Sequence, residues 1–154
     1  MLTPRFSASP DTAAPHPETI RFLKAHHVLT LATASNGAPY CANLFYAWLE
    51  PGEMFVFTSE GHTRHAAEAV ANPRVAGSVM LETRIVGKIQ GVQLCGRMFR
   101  PEGELLKRAR MRYLKRFPYA AFADLDLWVL EPDFLKLTDN RLGFGKKLIW
   151  NKTK

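Results

Sequence analysis

The chain has 154 residues, 47% of them hydrophobic, which suits one domain with a real core. Its net charge of +7 favours acidic ligands or partners, and two cysteines are too few for a disulfide framework or a zinc site. The first residues hold Pro4, Arg5, Pro10 and Asp11 but no apolar run, so no signal peptide is expected; Cys41 and Cys95 read as reduced thiols of a cytoplasmic protein.

Residues 1–16, with Pro4, Pro10 and Pro15 among Ser, Thr and Ala, read as a flexible tail, and 17–154 as one domain. Pro17 suits a first helical turn, and Glu18 to about His26 reads as a short helix with Ile20 and Leu23 on one face. His26 and His27 are neighbours, and neighbouring helical positions do not converge on one ligand, so a structural role is expected and no metal site. Val28 to Leu49 has no charged residue and is long enough to span a bilayer. The Ser35-Asn36-Gly37-Ala38-Pro39 turn in its middle points instead to a hairpin of strands 28–34 and 40–49. Pro51-Gly52 turns the chain into a third strand, Met54 to Thr58.

Further on, Arg74 to Leu81 reads as a strand, and Ile85 to Phe99 as a long strand bulged at Gly87, Gly91 or Gly96. Glu102 to Phe117 is the clearest helix, with Leu106, Ala109, Tyr113, Leu114 and Phe117 at helical spacing. Its other face carries Lys107, Arg108, Arg110, Arg112, Lys115 and Arg116. Without aromatic interleaving or a recognised motif, this is read as a solvated surface and not as a nucleic-acid or membrane-binding face. Strands are expected at 125–131 and 134–138, split by Glu131-Pro132-Asp133, and 142–154 as a basic tail. Hairpins predominate over strand–helix–strand alternation, so the expected fold is mainly β: a six- to seven-stranded antiparallel barrel with inserted helices at its rim.

The chemistry centres on Phe55 to Pro73. A strand breaks at Gly61 and passes through Thr63, a suitable N-cap, into the Ala-rich helix 64–71, stopped by Asn72-Pro73. Such a helix start leaves free N–H groups that favour an anion, and Ser59, Thr63 and Arg64 stand beside it. Arg can grip a phosphate by two parallel hydrogen bonds. No phosphate-loop, dinucleotide, serine-hydrolase or zinc-protease motif is present, and no catalytic acid or base stands out.

Phe57-Thr58, Gly61, Thr63-Arg64-His65 and Asn72-Pro73, in this order, resemble the FMN-binding split-barrel superfamily, whose familiar member is pyridoxamine 5′-phosphate oxidase. The stretches HHVLTLAT, FTSEGHTRH, VGKIQGVQLCGRM, YLKRFPYA and LTDNRLGFGKKLIW are similar to its uncharacterised YhbP-like group. The resemblance implies a split barrel and a homodimer with FMN sites at the subunit interface. It implies that Thr63 and Arg64 hold the flavin phosphate, with Thr58 and Ser59 near the ribityl chain or phosphate. His65 stands where the family has Lys. Lys88-Ile89-Gln90 falls where a family Gln reaches the flavin, and Asn43 is the hydrogen-bonding side chain on the second strand. Arg141 is the implied contact across the interface; the His expected near it is missing, which speaks against pyridoxamine phosphate as substrate. The implied activity is a flavin-dependent oxidation or reduction of a small molecule. Haem or deazaflavin on the same fold, or a binding module using the basic helix, are the alternatives.

Overall fold

The computed structural model describes residues 14–152. Most of the expected tail lies outside them. The chain runs α1 (Pro17–Ala25), β1 (Val28–Ser35), β2 (Ala38–Leu49), β3 (Met54–Thr58), α2 (Arg64–Ala71), β4 (Arg74–Met80), β5 (Gln90–Phe99), α3 (Gly103–Arg116), β6 (Leu127–Asp139) and β7 (Lys147–Asn151). All strand pairs are antiparallel, in the order β3-β2-β1-β4-β5-β6-β7, and β3 also pairs with β6. That last pairing closes a ring, with β7 outside it on β6. The first half of β2 pairs with β1 alone and only Tyr46–Leu49 pair with β3, which is the split in the barrel. Among the described residues no helix is long and apolar enough to cross a membrane.

Local chemistry sets the elements. Asn36 (φ 50°) and Gly37 (φ 78°) make the two-residue β1–β2 turn, whose left-handed backbone suits these residues. The barrel interior is filled from both sides: Leu29 and Leu31 of β1, aromatic Tyr46, Trp48, Phe55 and Phe57, and Trp128. The Ala66 and Ala69 face of α2 plugs it at one end. A second cluster joins Ala47, Leu49, Val56 and Val129 to Ala109, Tyr113 and Phe117 of α3. Leu105 packs there and Leu106 is exposed, opposite to the sequence reading, because Leu105 is four residues before Ala109 and so shares its face.

Three stretches differ from expectation. The strand expected from Ile85 begins only at Gln90; a 3₁₀ turn, Val86–Lys88, precedes it. The strands expected at 125–131 and 134–138 are one strand, β6. Pro132 fits within it because Asp133 is the extra residue of a bulge opposite Cys95 and Gly96. A Cβ at Gly96 would sit 2.3 Å from the Glu131 carbonyl oxygen, so of the three glycines considered this one marks the bulge. The basic tail contains β7, held on β6 with Trp150 buried opposite Leu135.

Half of the basic face of α3 is committed, Arg108, Arg112 and Arg116, while Lys107, Arg110 and Lys115 are exposed. Arg112 Nε donates to the Trp48 carbonyl (2.6 Å), and Arg116 donates to those of Lys24 (2.8 Å) and His26 (2.6 Å). Arg108 donates to the Pro51 carbonyl. One arginine per turn therefore ties α3 to the barrel.

Candidate functional site

The site is built where β3 leaves the sheet. Ser59 is fixed by its backbone: its N–H donates to the Asp126 carbonyl (3.0 Å), and its carbonyl accepts from Trp128 Nε1 (2.9 Å). Arg100 clamps Asp126 by two hydrogen bonds (3.0 and 2.8 Å) and lies 4.3 Å over the Trp128 ring. It also covers Gly61, where a Cβ would come 2.7 Å from the guanidinium. The Arg100 hydrogen bonds hold the Asp126 carboxyl below its ordinary range.

Above this floor Ser59, Thr63 and His65 converge. Ser59 Oγ is 2.5 Å from His65 Nε2 and 3.1 Å from Thr63 Oγ1, which lies 3.3 Å from the same ring nitrogen. The Thr63 hydroxyl donates to the Glu60 carbonyl (2.8 Å). Thr63 therefore occupies the N-cap position of α2 as expected, but its side chain does not cap the helix. Ser59 and His65 are both buried, and burial lowers the His65 pKa, so the ring is neutral at neutral pH. Where the family's Lys would bring a charge, His65 binds hydroxyls.

Arg64 lies beside the cluster. Its Nε donates to Glu68 Oε1 (2.8 Å), and its guanidinium stacks on Tyr40 at 4.3 Å. Thr33 donates to the other Glu68 oxygen (2.7 Å). Hydrogen bonds from Arg64, then Thr33, keep Glu68 ionised. More than half of the Arg64 side chain remains in solvent.

The other expected residues lie elsewhere. Thr58 points to α3, 3.4 Å from the Tyr113 hydroxyl. Asn43 accepts from Thr30 (2.8 Å) on the outer face of the sheet. Lys88, Gln90 and Arg141 gather at the far end of the barrel, where Asn140 bonds the Ile89 (3.0 Å) and Val86 (2.8 Å) carbonyls. Arg141 is bonded to buried Asp139 (3.1 and 2.9 Å), which lowers the pKa of that carboxyl. α2 docks at the Thr33–Ala34 end of β1, through Thr33–Glu68 and Asn72 on the Ala34 carbonyl. Gln90 bonds Leu81. From the level of Thr33 to Leu81, β4 covers about 20 Å. Within one chain Arg64 and Gln90 thus stand at opposite ends.

Sequence reasoning missed Tyr40, Thr33, Glu68, Arg100 and Asp126. Glu68 was signalled by its spacing four residues after Arg64; the others reach the corner only through strand pairing.

A fold of this class, a split barrel whose third strand turns into a helix through a hydroxyl-lined loop, is what known proteins share with this chain. Residues 16–137 match the family described as pyridoxamine 5′-phosphate oxidase, and the chain belongs to that family. Its relatives are the UPF0306, or YhbP-like, proteins. One from Photorhabdus laumondii is 42% identical over 132 residues, covering 86% of this chain and 92% of the relative. One from Yersinia pestis bv. Antiqua is 40% identical, covering 86% and 90%. Among solved structures, a haem binding protein from Mycobacterium smegmatis superimposes with a TM-score of 0.72 at 23% identity, over 92% of this chain and 60% of that one. An FAD binding protein from the same organism gives 0.63 at 14% identity, over 82% and 96%. These likenesses show the fold.

Proposed function

We propose that the chain binds a flavin, FMN, through its phosphate at the Ser59–Arg64 corner, and acts as a cytoplasmic, homodimeric, flavin-dependent oxidoreductase on a small molecule. The observation that carries this reading is the convergence of Ser59, Thr63 and His65 under the start of α2, with Arg64 beside it, in a member of this family.

The donor set fits a phosphate. The first turn of α2 has no side-chain cap, so its N–H groups face an incoming anion. The exposed end of Arg64 supplies the cation. Ser59 and Thr63 supply oxygen partners, and buried His65 positions them. Glu68 offsets part of the Arg64 charge, so the grip is weaker than a multi-cation clamp. The flavin supplies electron chemistry when bound; the chain binds and orients it. Because Arg64 and Gln90 are about 20 Å apart in one chain, one flavin takes both only when Gln90 comes from the partner subunit. That supports the homodimer.

The test is a visible absorption spectrum of the purified protein, repeated after adding FMN and removing the excess. Paired flavin bands that travel with the protein support the reading. A sharp Soret band instead favours haem, the second reading, which rests on the haem binding protein of like fold; His62, exposed on the same loop, is then the first ligand to replace. No chromophore at all leaves a deazaflavin or a binding module.

A further inference from the structure

Hydrogen atoms can be counted where Ser59, Thr63 and His65 meet. Ser59 Oγ, Thr63 Oγ1 and His65 Nε2 form a closed triangle with edges of 3.1, 3.3 and 2.5 Å. Each hydroxyl owns one hydrogen. That of Thr63 goes to the Glu60 carbonyl (2.8 Å). That of Ser59 goes to the ring when Nε2 is bare, and to Thr63 Oγ1 when Nε2 carries the ring's hydrogen. In both arrangements the hydroxyl hydrogens are spent within the protein, and oxygen lone pairs are what a ligand meets. Phosphate oxygens are acceptors, so the empty corner has its hydroxyls turned the wrong way.

Charge is short as well. Arg64 is paired with Glu68 (2.8 Å), and Arg100 with Asp126 (3.0 and 2.8 Å). His62 and Glu60 pair with each other (3.1 Å) out in solvent. Of the strands packed against α2, β1 brings no titratable side chain, β2 brings Tyr40, Cys41 and Tyr46, and β5 brings Cys95 and the exposed Arg97. Among the described residues at the corner, His65 is therefore the buried group that can gain a positive charge.

We propose that His65 is a conditional cation: the corner binds a phosphate monoester together with one proton, which the His65 ring takes up. This rests on the flavin reading above and gives His65 its part in it. As an imidazolium the ring donates Nε2–H to Ser59 and shares it with Thr63. Both hydroxyls then accept from the ring, and their hydrogens turn outward to phosphate oxygens. Thr63 leaves the carbonyl of Glu60, an exposed residue, where water replaces it. The new charge, one hydroxyl away from the phosphate, makes up for the Arg64 charge that Glu68 offsets. Burial keeps the empty ring neutral by holding its pKa below the ordinary histidine value, and a bound dianion acts in the opposite direction. The filled site thus holds more protons than the empty one. Affinity should rise as pH falls through neutrality, by up to about tenfold per pH unit, until the phosphate itself takes a proton near pH ~6.

The test is a calorimetric titration of the wild-type chain with FMN at pH 7, in PIPES and in imidazole. These buffers differ in heat of ionisation, so the difference in binding heat counts protons. The expected result is close to one proton taken up, with affinity rising from pH 8 to pH 6.5. His65→Gln should lose most of that uptake and bind more weakly at pH 6.5. His65→Lys, with a permanent charge in the same place, should lose the pH dependence and bind at pH 8 at least as well as the wild type. Ring nitrogen shifts need no variant: of the five histidines, one should pass from neutral to cationic as FMN is added. FMN binding without proton uptake, uptake that persists in His65→Gln, or no ring changing charge overturns the role of His65 and leaves the flavin site standing. A wild type that binds no FMN at any of these pH values overturns the flavin reading and this inference with it.

Discussion

The corner at the start of α2 and the basic face of α3 both present arginines, and they use them in opposite ways. On α3, Arg108, Arg112 and Arg116 give hydrogen bonds to carbonyls at the end of the barrel. Their charge is incidental to that work; the planar fork of donors is what serves. At α2, Arg64 has a carboxylate and a ring as partners and keeps most of its side chain in solvent. Only its Nε is engaged by Glu68, so the terminal donors of the guanidinium are available to a ligand without breaking that pair. A count of cations would have chosen α3 as the binding surface. What sets Arg64 apart is its place: Lys107, Arg110 and Lys115 of α3 are exposed too, but Arg64 stands beside the Ser59 and Thr63 hydroxyls at a helix start without a side-chain cap.

The largest effect that can break this comparison is on ligand affinity. Arg64→Ala should weaken FMN binding by about 1.5–3 kcal/mol, roughly ten- to a hundredfold, while thermal stability stays nearly unchanged. A flavin titration with no change would remove the corner as the phosphate site. Arg116→Ala should do the reverse. It strips donors from two carbonyls and costs about 2 kcal/mol of stability, measured as the urea midpoint, with flavin affinity kept.

Acid should next separate the two regions. Burial holds the His65 pKa below its ordinary value, so the unfolded chain takes up this proton first as pH falls past the usual histidine range of about 6.5. The stability it contributes is complete above that range and is lost toward lower pH. His26 and His27 shift the same way, chiefly through burial. Melting temperature should therefore fall between pH 7.5 and 5.5, and less steeply in His65→Gln. Equal slopes would show that the ring is not confined as described. The smallest effect is expected from Lys107→Glu with Arg110→Glu, exposed residues not among those tied to the barrel; stability should move by no more than about 0.5 kcal/mol per site and flavin binding should persist.

Much of this fold is legible in the residues. Met54–Thr58 and Arg64–Ala71 have the expected bounds because strand, glycine break, a threonine at the N-cap position and Asn-Pro stop follow one another without conflict. Pro132 misled the reading of β6: a proline lacks the ladder donor, and only the paired strand reveals that a bulge absorbs it. β7 was hidden because it is five residues in a lysine-rich stretch, and Leu148, Ile149 and Trp150 become useful only against β6. The site was half legible. Ser59, Thr63, Arg64 and His65 are close in sequence, so local spacing brings them together. The distance from Arg64 to Gln90 depends on the register of three strands, β1, β4 and β5, which no local pattern encodes. The use of the α3 arginines is likewise invisible, since their partners are carbonyls as remote as Lys24 and Trp48.

β6 has a consequence for how the molecule is made. It pairs with β5 along most of its length and with β3 at its start, so it is the piece that turns a ribbon into a ring. A growing chain that has not yet supplied residues 127–139 holds a sheet with β3 and β5 as bare borders, each with unspent donors and acceptors. For that interval on the ribosome the nascent chain is open to strand exchange with its neighbours. The late arrival of this strand makes it the lock of the barrel, and shortening the chain ahead of Leu127 should yield aggregates in place of a smaller domain.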